Sequence, residues 1–177
     1  MRVGGSIHLP PLALTLARRE RFDESLALLT LERHALSASA TLEVLCEIAA
    51  MRERWDEAAE LVAAAREEAE IGEQLALPLF ADRLEGRAAR ANGDAAAAAA
   101  LFSRSATGFG TLGARWEEAW SRLLLAEVVE APQAERELAA ALTVFESLGS
   151  VAEAARAGSL PAVYRAGRST TTEVSST

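Results

Sequence analysis

Three arginines, Arg83, Arg87 and Arg90, follow one another at i, i+4 and i+7 spacing, which puts their guanidinium groups on one face of a helix. Guanidinium forks bind carboxylates and phosphates bidentately, so such a stripe predicts capture of an acidic ligand or peptide rather than bond making. A second reading of the same residues is electrostatic. Glu43 lies 40 residues before Arg83 and Glu47 lies 40 before Arg87, so neighbouring helices would set opposite charges side by side. Each exposed pair of that kind is worth about 0.2 to 1 kcal/mol. The pattern gives Arg90 no counterpart, which makes it the sharper probe of ligand binding.

Residue types that carry catalysis are sparse. His8 and His34 stand far apart, Cys46 is alone in an apolar helical pattern, and neither HExxH nor CxxC occurs. No catalytic set, metal site or cofactor is therefore expected, and Cys46 is read as a small core residue. His34 closes a helix, where an exposed ring is ordinary. Trp55 and Trp116 stand at hairpin starts as packing plugs. Glu67-Glu68 and Glu117-Glu118 read as solvated helix surface.

The elements that must position these residues are helical. Half of the 177 residues are hydrophobic, much of that being alanine, and aromatics make up 5%. Val, Ile and Thr never gather into period-2 runs, so an all-α class is expected. A net charge of -8 and a pI of about 4.9 argue against nucleic-acid or anionic-membrane partners. No apolar run reaches a membrane span, and a soluble cytoplasmic chain is expected.

Residues 1–9 read as a lead-in, and Pro10 and Pro11 suit a first helical turn. Helix pairs follow at about 10–34, 38–72, 73–111 and 115–148, with a last helix from Ser150 cut short near Gly158 to Pro161. Ser37 or Ser39 caps the third helix, Gly72 stops the fourth, and Asn92-Gly93-Asp94 turns between the fifth and sixth. Pro78 predicts a mild irregularity. Residues 10–158 thus form the helical domain, and 159–177 form a disordered or loosely attached tail. With its last hairpin incomplete, a face at Val144, Leu148 and Val151 is expected to self-associate or to be unstable.

Two phrases repeat. RERFDESLALL, from Arg19, returns as RERWDEAAELV, from Arg52, with Phe22 and Trp55 33 residues apart. Phe109 to Gly113 returns as Phe145 to Gly149, 36 residues on. Leu45-Cys46, Ala49, Trp55, Ala58, Val62 and Ala65 resemble the tetratricopeptide repeat. So do Gly86, Ala89, Gly93-Asp94, Ala98 and Phe102, and then Ala134, Leu138 and Ala141. The first copy is weaker, since Ser25 and Glu32 replace the expected alanines.

This resemblance implies a right-handed superhelical α-solenoid of about four helix-turn-helix hairpins plus a truncated fifth. It also implies a concave face built by the first helix of each hairpin. That face would carry Glu43 and Glu47, then Phe80, Arg83, Arg87 and Arg90, then Trp120 and Glu127. The phrase FxxLGxxxEEAxxRLxLAE, Phe109 to Glu127, is similar to the repeats of bacterial LuxR/MalT-type regulators and class III adenylate cyclases. In those families such repeats serve as a sensor or partner-binding arm. No GxxxxGK[ST] loop occurs here, so a fragment or shortened relative is expected. The expected function is a non-catalytic interaction or regulatory module whose partner is a protein, a peptide or a second copy of the chain. The alternative is a small-ligand sensor using the arginine-lined groove.

Overall fold

Among the described residues, six adopt left-handed backbone, Glu20, Glu53, Glu73, Gly93, Gly113 and Gly149, with φ between 51° and 82°. At each, the next N–H turns back to a carbonyl five residues earlier. Arg21 bonds Leu16, Arg54 bonds Ala49, Gln74 bonds Ala69, Asp94 bonds Ala89, Ala114 bonds Phe109 and Ser150 bonds Phe145, at 2.8 to 3.0 Å. This closure occupies carbonyls that a helix end would otherwise leave unpaired, and it reverses the chain sharply.

The computed structural model describes the backbone of residues 9–31 and 37–169, and the side chains of 12–31 and 37–160. Within them the chain is all-helical, with no strand: α1 Leu9–Arg18, α2 Phe22–Leu31, α3 Ala38–Met51, α4 Trp55–Gly72, α5 Leu77–Ala91, α6 Ala95–Thr111, α7 Arg115–Ala126, α8 Ala131–Ser147 and α9 Val151–Ser169. His8, His34, Glu32 and residues 170–177 lie outside the described residues.

Capping follows side-chain chemistry. Ser37, not Ser39, caps α3 by accepting from the Ala40 N–H at 3.2 Å, while Ser39 is buried and donates to Glu68. Asp94 caps α6 by accepting from Ala97 at 2.9 Å. Three positions bear on the expected helix ends. Gly72 is the last residue of α4, and Glu73 takes the left-handed turn instead. The next helix starts at Leu77, so Pro78 falls in its first turn, where a missing N–H breaks nothing. Finally, α9 runs through Gly158 and Pro161 to Ser169. Glycine lowers helix propensity without ending a helix, and α9 is held along α8 by buried Ala157 with Ala154 and Leu160 beside it.

The chain divides into two compact units, Met1–Ala88 and Ala89–Thr177. In the first, α1 packs on α2 and α3, and α3 packs on α4; in the second, α6, α7, α8 and α9 pack in succession. One buried stripe recurs at offsets 0, +4, +7 and +11. It reads Ala58, Val62, Ala65, Ala69 in α4, then Ala98, Phe102, Ser105, Phe109 in α6, then Ala134, Leu138, Ala141, Phe145 in α8. These offsets trace one helix face, and its small members let a neighbouring backbone approach. In α2, Ser25 and Leu29 begin the same stripe. Ser25 satisfies its buried hydroxyl by donating to the Ala13 carbonyl at 2.8 Å, which explains how serine replaces alanine there.

Candidate functional site

The proposed arginine stripe divides between the two units, and each part is already engaged. In the first unit, α3 presents Glu47 and α5 presents Phe80 and Arg83. Arg83 is 2% exposed, and its Nη2 donates to Glu47 Oε2 at 3.1 Å. Glu47, 4% exposed, also has Arg18 Nε of α1 at 3.9 Å from its other oxygen. The Arg83 guanidinium lies 4.6 Å from the centroid of buried Phe80. Arg83 and Phe80 are therefore interior groups, not an exposed clamp. Sealing both charges from water makes the pair a condition of packing, because removing either one takes the nearest counter-charge from a buried ion.

Arg87 and Glu43 are half-buried. Sequence spacing matched Glu47 with Arg87, whereas the structure joins it to Arg83, one helical turn earlier. The axial stagger of two helices sets that turn, and repeat spacing carries no record of it. Cys46 adjoins this pair and is buried. Burial, reinforced by the Glu47 charge and opposed by Arg83, pushes its thiol up to about 12. It remains a protonated core side chain and a poor nucleophile.

In the second unit the groups form around Glu127, whose side chain is 7% exposed. Arg90 Nη1 donates to Glu127 Oε2, and Arg156 Nη2 donates to Oε1 at 3.0 Å. Arg90 thus has a carboxylate partner, contrary to the expectation that made it the free probe. The Arg156 guanidinium lies 5.0 Å from the Trp120 ring centroid. Trp120 is 8% exposed and stacks on Trp116 at 5.5 Å and 20°, and Trp116 meets Phe145 edge-on at 6.0 Å. Trp120 is a wall of the core whose outer face is covered by an arginine, not an open platform.

Among the described residues, no three His, Cys, Asp or Glu side chains gather as a metal site. No described helix is long and apolar enough to cross a membrane.

Family models, curated proteins and solved structures give no match to this chain.

Arg18 and Arg156 were missed by sequence reasoning. Neither belongs to a repeated phrase, and only the packing of α1 on α3 and the course of α9 bring them to their carboxylates. Glu127 belongs to the sequence-proposed set, but nothing in its spacing points to two arginine partners.

Proposed function

We propose that this chain is a non-catalytic interaction module built of tetratricopeptide-like two-helix units, stacked as a right-handed α-solenoid, that docks a protein or peptide partner. The observation that carries the reading is the stripe repeated in α4, α6 and α8 with the same four offsets, every member buried. An array of this kind hides one face of each unit against the next and leaves the first helices to form an extended surface for a partner. Its resemblance to the helical arms of LuxR/MalT-type regulators and class III cyclases favours a place in a signalling protein.

Clamping of a small anion by an arginine groove is disfavoured. Arg83 and Arg90 already hold Glu47 and Glu127, and capture of a ligand would strip each carboxylate of its cation.

A photo-crosslinking side chain at Arg87, on a first helix, compared with one at exposed Arg136 on α8, tests docking in cells that make the full chain. The reading expects a discrete protein adduct from position 87 and none from 136. Equal labelling at both, or none at 87, overturns it.

A further inference from the structure

A cleft of about 570 Å³ opens in the first unit between α2, α3 and α4. That volume lies within the roughly 300 to 1,000 Å³ of small-molecule sites. Its apolar wall is supplied by all three helices: Leu26 from α2, Leu45, Ile48 and Ala49 from α3, and Leu61 and Ala64 from α4.

The mouth is charged, and its two arginines are not equivalent. Arg54 is held by Glu57 and by Asp56 at 3.5 Å. Arg52 is exposed, sits with its guanidinium 5.6 Å from the Phe22 ring centroid, and has no carboxylate partner among the described residues. The ring holds the cation without neutralising it. Beside it begins α4, whose N-cap residue Arg54 supplies no side-chain cap, so the positive end of that helix faces the same rim. Glu57 and Glu60 also line the cleft and hold the summed rim charge near zero. A polyanion therefore gains no general attraction, while one negative group gains a guanidinium that no described carboxylate holds.

We propose that this cleft binds a small monoanion with an apolar body, a medium-chain monocarboxylate, with its chain against Leu45, Ile48 and Leu61 and its carboxylate on Arg52. The site shares α3 with the surface assigned above to a protein partner but uses Leu45, Ile48 and Ala49 there instead of Glu43 and Glu47, and carboxylate titration and crosslinking at position 87 read the two separately.

The test is calorimetric titration of the full chain with decanoate and with decanol, in the wild type and in the variants R52Q and A64W. Arg52 and Ala64 are both exposed, and the A64W indole fills the cleft from its rim. The expected result is saturable binding of one decanoate per chain, with decanol about tenfold or more weaker. R52Q abolishes that preference, and A64W abolishes binding of both. Three results overturn the proposal: no saturable binding of decanoate, equal affinity for decanoate and decanol in the wild type, or unchanged affinity in folded A64W. Should A64W fail to fold, R52Q decides alone, and a preference for decanoate that survives in it overturns the assignment.

Discussion

Arg83 of α5 and Glu47 of α3 meet at 3.1 Å with both side chains almost sealed from solvent, at 3% and 4% exposure. An ion pair in that setting is a poor source of net stability but a severe constraint on what replaces it. Glu47→Ala takes the carboxylate at 3.1 Å away from a buried guanidinium and is expected to cost about 3 to 5 kcal/mol, whereas E47L combined with R83M recovers most of that loss. Urea denaturation of the three variants measures both. A cost below about 1 kcal/mol for the single change would mean that the pair is wet.

The left-handed turns make predictions of opposite sign. Gly93 and Gly113 have φ of 82° and 71°, and a Cβ there meets nothing within 4 Å, so only the backbone resists substitution. Gly93→Ala is expected to lose about 1 kcal/mol. Glu53, at φ 55°, holds the corresponding turn between α3 and α4. Glu53→Gly relieves strain at some cost in unfolded-chain entropy, for a net gain of about 0.5 to 1 kcal/mol. Thermal melting of the two variants should move in opposite directions; movement in the same direction would contradict the turn geometry.

Around Glu127 the coupling is expected to be non-additive. Arg90 and Arg156 are each nearly half exposed, at 47% and 45%, while the carboxylate they share is 7% exposed. Arg90→Ala alone leaves Arg156 in place and should cost less than about 1 kcal/mol. The double variant R90A/R156A leaves a buried carboxylate without a cation and should cost more than the sum of the single changes. A double-mutant cycle that sums within about 0.3 kcal/mol would show that the three groups act independently.

Cys46 gives the chain a signature in alkali. Its folded-state thiol is raised to about 12 from an ordinary value of 9.0. Above 9.0 the unfolded chain gives up this proton while the folded chain keeps it. The stability linked to the group is therefore intact below 9.0 and falls as pH rises toward about 12, by about 1.4 kcal/mol per pH unit at most. Comparing the pH dependence of unfolding for the wild type and Cys46→Ala isolates the effect. Parallel profiles from pH 8 to 11 would show that the thiol is not buried.

Ala58, Val62 and Ala65, and likewise Ala134, Leu138 and Ala141, announced a packed helix face because helical periodicity is local information. Gly93, Gly113 and Gly149 marked turns because few other residues adopt positive φ at little cost. Glu73 could not be found that way, since Gly72 beside it was the better candidate on residue type. The Arg83 to Glu47 pairing and the two arginines on Glu127 depend on how far one helix is shifted along another, which no single helix encodes. The cleft beside Arg52 escaped notice for the same reason, being space left between elements. Pro161 misled because a proline inside a helix is judged by its local cost, whereas α9 is held by packing on α8.

The recurrence of one packed stripe is tested most directly by a leucine scan read by thermal and urea unfolding. Ala65, Ser105 and Ala141 are each 0% exposed at the same +7 position, while Ala63 and Ala139 lie exposed on the same two helices as the first and last of them. The account predicts that A65L, S105L and A141L each lose about 1 to 3 kcal/mol or more, while A63L and A139L stay within about 0.5 kcal/mol of the parent. Stripe variants as stable as the exposed controls would contradict it.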